Sequence, residues 1–171
     1  MDLKDTFRFV APRVRDAAVK TAAQLDHLGI RYALAGGLAV GAHGYIRATT
    51  DVDFLVGGEE AFDHQGPLVA FKAGVPIEVD GIRIYYLSPT SLGPQMEEVL
   101  DHPPISEGLA VVPIEALIYM KLVAKRRKDL VDVVELVKAG ADLTLVRNFL
   151  RQYACDMVRM FEELVNEALA E

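Results

Sequence analysis

Asp51 and Asp53 stand two residues apart in the run Asp51-Val52-Asp53-Phe54-Leu55-Val56. In an extended strand, that spacing turns both carboxylates to one face and the intervening apolar residues to the other. At a separation of about 6 Å and an effective dielectric of about 20, the two charges repel by roughly 3 kcal/mol, so a cation or several donors must offset them. A divalent metal does this most simply, because Mg²⁺ takes one or two carboxylates and completes its shell with polyphosphate oxygens. The competing reading is a pair of acids on a solvated strand edge, or acids capping nearby loop amides, and an isolated Asp-x-Asp does not decide between the two.

Gly36-Gly37 adds a second chemical element. A glycine pair between a strand and a short helix lets the backbone approach a phosphate and aims first-turn amides at it, although an ordinary tight turn uses the same residues. The order is more specific than either part: apolar strand, Gly-Gly, short helix, then an apolar strand carrying Asp-x-Asp. Arg47 lies four residues before Asp51, in reach of the acid pair or of a phosphate, with a solvated loop as the alternative. Lys121 shares a helix face with Leu117, so it either extends toward phosphates or snorkels to water. Lys125, Arg126, Arg127 and Lys128 form a basic run that serves as a solvated loop or a local acceptor contact. Asp129 reads as the cap of the helix that follows, with Asp132 its exposed companion one turn on. His27, His43, His64 and His102 show no metal-ligand spacing.

These residues need a sheet to hold them. Pro12 opens a helix in which Val14, Ala17, Ala18, Thr21, Ala22, Leu25 and Leu28 recur at helical spacing until Gly29. Strands are predicted at 31–35 and 51–56, separated by a small-residue helix over 38–43. A helical turn at 59–64 and a strand at 68–71 follow. Ile77-Glu78-Val79, Asp80-Gly81 and Ile82 to Leu87 form a β-hairpin signature, because Asp-Gly accepts the positive φ angles of a tight turn. After a short strand at 109–112, Pro113 opens a helix to about Ala124, and helices are predicted at 129–139, from Asp142, and at 156–168. The expected architecture is α/β (α+β): a mixed sheet flanked by helices, with a helical C-terminal extension. Residues 1–112 would form the sheet core and 113–171 the helical part of the same domain.

Composition narrows the class further. The chain has 171 residues, 51% of them hydrophobic and 25% charged, as in globular proteins. A net charge of −7 argues against a broad DNA-binding surface. A single cysteine, Cys155, permits no internal disulfide and no cysteine-based zinc site, which suits a reducing compartment. No apolar stretch reads as a signal peptide or a bilayer span, so the expected setting is the cytoplasm, away from membranes.

The segments Ala35-Gly36-Gly37-Leu38-Ala39, then Gly44, Arg47, Thr49 and Asp51-Val52-Asp53-Phe54-Leu55, resemble the nucleotidyltransferase superfamily. The likeness is to its minimal nucleotidyltransferases and the abortive-infection, type IV toxin-like group. Ala116 to Leu122 and Lys128-Asp129-Leu130-Val131-Asp132 resemble the helical part of that group, so the likeness spans most of residues 12–140. It implies a nucleotidyltransferase-like fold in which Gly36-Gly37 holds a nucleoside triphosphate, with Arg47 and Lys121 as further nucleotide contacts. Asp51 and Asp53 would bind Mg²⁺, and a nucleoside monophosphate would pass to an acceptor hydroxyl on RNA or protein. An antitoxin partner is also implied. The family's third carboxylate, a metal ligand or general base on a later strand, falls at Tyr85. A phenol with an ordinary pKa near 10 supplies neither function at neutral pH. Glu78 on the partner strand, or Asp80 in the turn, is the expected substitute, and Tyr85 itself otherwise packs under the later helices. Two functions from different classes follow: an Mg²⁺-dependent nucleotidyltransferase, or a catalytically incomplete module that binds nucleotide or an antitoxin. A folded domain with no nucleotide affinity is a third.

Overall fold

The computed structural model describes residues 1–58 and 75–170 and, between them, the backbone of Gln65–Gly66 and Val69–Ala70. Asp2 caps the first helix, α1 (Leu3–Phe9), by accepting a hydrogen bond from the Lys4 amide. Seven residues with two buried positions give too weak a periodicity to predict, and α1 is an addition to the sequence reading. The second helix, α2 (Pro12–His27), has Pro12 at its first position and buries Val14, Ala17, Ala18, Thr21, Ala22 and Leu25, the face its spacing predicts.

Strand β1 (Tyr32–Ala35) runs directly into α3 (Gly36–Ala42), which begins at Gly36 rather than at Leu38. Strand β2 (Val52–Val56) follows, with Asp51 just before its first residue. A small antiparallel ribbon, β3 (Gln65–Gly66) and β4 (Val69–Ala70), covers part of the strand expected over 68–71, and the turn expected over 59–64 lies outside the described residues. The hairpin is as predicted: β5 (Ile77–Val79) and β6 (Ile82–Leu87) meet at Asp80 and Gly81, with φ of 51° and 79°. Positive φ at both central residues is the turn whose twist matches paired strands.

Strands β1, β2, β6 and β5 form one mixed sheet in that order, antiparallel at both outer pairs and parallel between β2 and β6. Alternation divides its two faces. Val52, Phe54, Val56, Ile82, Ile84 and Tyr86 are buried, and β2 and β6 pack against α2. Tyr32 meets Phe54 there edge to face at 5.5 Å between ring centroids. The opposite face carries Asp51, Asp53 and Leu55 beside Arg83, Tyr85 and Leu87.

The second half of the chain begins with the short α4 (Gln95–Glu98) and the ribbon β7 (Ile105–Ser106) and β8 (Leu109–Ala110), then becomes helical. In α5 (Ile114–Ala124), every residue from Ala116 to Leu122 is buried, the pattern of a helix enclosed on all sides. It packs against α6 (Arg127–Lys138) and α7 (Leu143–Tyr153), and α6 packs in turn against α8 (Val158–Ala170). Asp142 caps α7 as predicted, accepting from the Thr144 and Leu145 amides. Among the described residues, no helix is long and apolar enough to cross a membrane.

Candidate active site

Ala35 ends β1 opposite Asp53 of β2, so the chain makes its Gly36 turn directly over the Asp53 side chain. Gly36 has φ of 58°, and a Cβ placed on it would stand 1.8 Å from Asp53 Oδ2. No side chain fits there unless the carboxylate leaves, so glycine is required by space as well as by backbone conformation. Gly37 is confined in the same way: its Cβ would lie 2.6 Å from Thr49 Oγ1 and 3.4 Å from an Arg47 guanidinium nitrogen. The first-turn amides of α3 receive no side-chain cap from Ala35.

A cleft of about 470 Å³ opens on this corner, within the size range of small-ligand sites. Gly36, Gly37, Arg47, Asp51, Asp53 and Lys121 all line it, so six of the seven sequence-predicted site residues share one cavity. Arg83, Tyr85, Arg126, Lys128 and Asp129 line it as well. Five cations therefore face three acids, a local basic surface on an acidic chain. The basic run divides: Arg126 and Lys128 reach the cleft, whereas Lys125 and Arg127 are exposed outside its lining.

Asp51 and Asp53 share the cleft but differ in surroundings. Arg83 Nε lies 3.3 Å from Asp51 Oδ1, and both side chains are partly open to solvent. Burial pushes the Asp53 carboxyl above its ordinary value, with the charge of Lys121 opposing the shift and that of Asp51 adding to it. Asp53 is thus a desolvated acid with no hydrogen-bond donor among the described residues, beside a second acid. Two hard oxygen donors at the edge of a basic cleft suit Mg²⁺ that shares its shell with a phosphate.

Behind the cleft lies a buried ionic cluster. Arg47 grips Asp132 with Nε and Nη2 at 2.6 and 2.8 Å. Lys121 Nζ reaches Asp132 at 2.7 Å and Asp129 at 2.9 Å, and Arg126 Nε reaches Asp129 at 2.6 Å. Asp129 and Asp132 are 0% and 1% exposed. Burial opposes the Asp129 charge, but hydrogen bonds from Arg126 and Lys121 outweigh it and hold this carboxyl below the usual range.

Several expectations are corrected here. Asp129 is not a helix cap, since Arg126 occupies the N-cap of α6, and Asp132 is buried rather than exposed. Arg47 is neither a solvated loop residue nor a partner of Asp51 and Asp53, and the Lys121 ammonium is enclosed rather than snorkelling. Glu78 is exposed on β5 opposite Arg83 and is absent from the cleft lining. Asp80 is tied to Lys20 at 3.1 Å on the hairpin turn. Tyr85 pairs in register with Asp53, the place the resemblance gives to a third acid. Among the described residues, no group of three or more His, Cys, Asp or Glu side chains is arranged to hold a metal. Arg83 had gone unnoticed in the sequence, although its place opposite Asp51 follows from the register once β2 and β6 are paired.

No protein-family model matches the chain, and no curated protein matches it. Among solved structures, it is similar to an antigenic nucleotidyltransferase-like protein from Paracoccidioides brasiliensis, with a TM-score of 0.45 and 15% sequence identity. The match covers 86% of this chain and 91% of that one.

Proposed function

We propose that the chain is an Mg²⁺-dependent nucleotidyltransferase that passes a nucleoside monophosphate from a nucleoside triphosphate to an acceptor hydroxyl on RNA or protein. The observation that carries this reading is the contact between the Gly36 bend and the Asp53 carboxylate, which sets a phosphate cradle against a two-acid centre inside one cleft. Mg²⁺, when bound by Asp51 and Asp53, would supply charge neutralisation and polarise the phosphate it shares.

The chain's own residues provide positioning and field. The Gly36-Gly37 backbone lets phosphate oxygens approach without a side chain intervening. Arg126 and Lys128 face the same volume and favour the negative charge of a triphosphate. The buried cluster fixes Lys121 and Arg47, so they act as a fixed positive wall rather than as mobile phosphate hooks. In the transfer, an acceptor oxygen bonds to the α-phosphorus, the bond to pyrophosphate breaks, and the hydroxyl proton passes to solvent water or to the departing pyrophosphate.

A second reading has its own support. Tyr85 lies in register with Asp53, where the resemblance implies a third acid, and Arg83 stands against Asp51, so the same cleft suits a protein that holds nucleotide without turnover, alone or with an antitoxin partner. Incubation with α-labelled triphosphates, Mg²⁺ and RNA or protein acceptors separates the two. Label transfer with pyrophosphate release, lost in Asp51→Asn and Asp53→Asn, supports the enzyme. Binding without release supports the module, and full activity in both variants refutes the assignment.

A further inference from the structure

A second groove, of about 410 Å³, shares no lining residue with the cleft. One wall is α7, where Leu145, Phe149 and Tyr153 recur every four residues along a single helical face, about 12 Å from end to end. Leu145 is 49% and Tyr153 38% exposed, and the Phe149 and Tyr153 rings meet at 4.9 Å between centroids. Glu98 of α4 and Glu115 of α5 line the same groove, with the exposed His102 beside them and no lysine or arginine. Among the described residues, neither acid's side chain has an ion pair or a hydrogen bond. Gln95 joins them from below. It is 8% exposed, its Nε2 donates to the Leu92 carbonyl at 3.4 Å, and its Oε1 accepts from no described residue.

A purely apolar partner laid over this groove would strip water from two carboxylates and an amide oxygen and leave all three without donors. An anion would meet the same acids. The fitting occupant brings positive charge and several N–H donors on a flat frame that can lie against aromatic rings. The arginine guanidinium combines these, whereas an ammonium is strongly hydrated and has no plane to stack. Length decides the rest: a stripe of about 12 Å matches roughly four residues of extended chain, more than one side-chain head can cover. We propose that this groove docks a segment of a partner protein, in which an arginine stacks on Phe149 and Tyr153 and pairs with Glu98 and Glu115 while a neighbouring apolar residue covers Leu145. This surface is independent of the nucleotide chemistry and of the cleft that would carry it.

The probes are the acetylated, amidated peptide Leu-Ala-Arg-Ala-Leu, its counterparts with lysine or citrulline in place of arginine, and free acetyl-arginine methylamide. Each is titrated into the full chain at about pH 7.5, where an ordinary histidine is mostly neutral, and binding is followed by NMR chemical shifts. The arginine peptide is expected to saturate with a Kd on the order of 1 mM or tighter and to move the Phe149 and Tyr153 ring signals. Citrulline has the same shape without the charge and should bind roughly 3- to 30-fold more weakly, with lysine between the two. The free arginine derivative, which leaves Leu145 uncovered, should also be weaker than the peptide. Tyr153→Leu is expected to weaken the arginine peptide by about 2- to 5-fold. Glu98→Gln/Glu115→Gln should close most of the gap between arginine and citrulline, with an unchanged denaturation midpoint reporting an intact fold. The proposal is overturned if the arginine peptide does not saturate by about 5 mM, if the lysine or citrulline peptide or the free derivative binds as tightly, or if a folded Glu98→Gln/Glu115→Gln chain keeps the full gap.

Discussion

Two pairs of aspartates lie within one corner of this fold and live under opposite conditions. Asp129 and Asp132 are buried one helical turn apart and fully paired, with Lys121 bridging them and Arg126 and Arg47 closing the ends. Asp51 and Asp53 are two residues apart at a strand start, and among the described residues a partly exposed arginine stands on the first and no hydrogen-bond donor on the second. The first pair has its charge compensated by the protein, and its carboxyl at Asp129 is held low. The second is compensated only in part, and its carboxyl at Asp53 is pushed up. A buried acid with every partner supplied belongs to the framework, whereas one left wanting a cation is suited to a ligand.

Breaking the framework pair should have the largest effect. Asp132→Ala leaves Arg47 and Lys121 without a shared anion in a buried setting, and is expected to lose roughly 3–5 kcal/mol of stability by chemical denaturation. A loss below about 1 kcal/mol would show that the cluster is solvated and the contrast misplaced. Gly36→Ala comes next. It forces a Cβ into the Asp53 carboxylate at a positive φ, so a cost of about 2–3 kcal/mol is expected together with loss of Mg²⁺-dependent triphosphate binding. A variant that is stable and binds normally would separate the bend from the acid centre.

The two pairs also differ on the acid limb of the stability curve. Asp129 titrates below its unfolded-state value of about 3.9, so its contribution is present above that pH and drains away as pH falls through the lower folded value. Asp129→Asn should flatten denaturant stability between about pH 4 and the acid transition, relative to the native chain. The smallest effect has the opposite sign: Asp53→Asn removes a desolvated charge and is expected to raise stability by on the order of 1 kcal/mol in metal-free buffer. Destabilisation instead would mean that Asp53 is a framework acid too.

How much of this was legible in the sequence follows from the range of the interactions. The Asp80-Gly81 hairpin and the shared face of Asp51 and Asp53 are local consequences of turn chemistry and alternation, and they hold. The Gly36 contact is implied by chain order, because β1 and β2 are neighbours and the bend must lie over one end of β2. The ionic cluster was missed because Arg47 and Asp132 are 85 residues apart. A signal was nonetheless present: Asp129, Asp132, Val133 and Leu136 share one helical face, and acids on an apolar stripe are unlike a solvated surface. Glu78 was misjudged because its alternation with Arg83 fixes the face but not the distance across the sheet from β2, and β5 lies at the far edge.

Metal binding at the two-acid centre is read by a calorimetric titration of Mg²⁺ into the chain, with and without a non-hydrolysable triphosphate, for the native protein and for Asp51→Asn/Asp53→Asn. Beyond the heat of Mg²⁺ binding the triphosphate in buffer alone, a saturable heat is expected in the native protein that strengthens when triphosphate is present and vanishes in the double variant. Identical Mg²⁺ binding by both proteins would mean that Asp51 and Asp53 hold no metal.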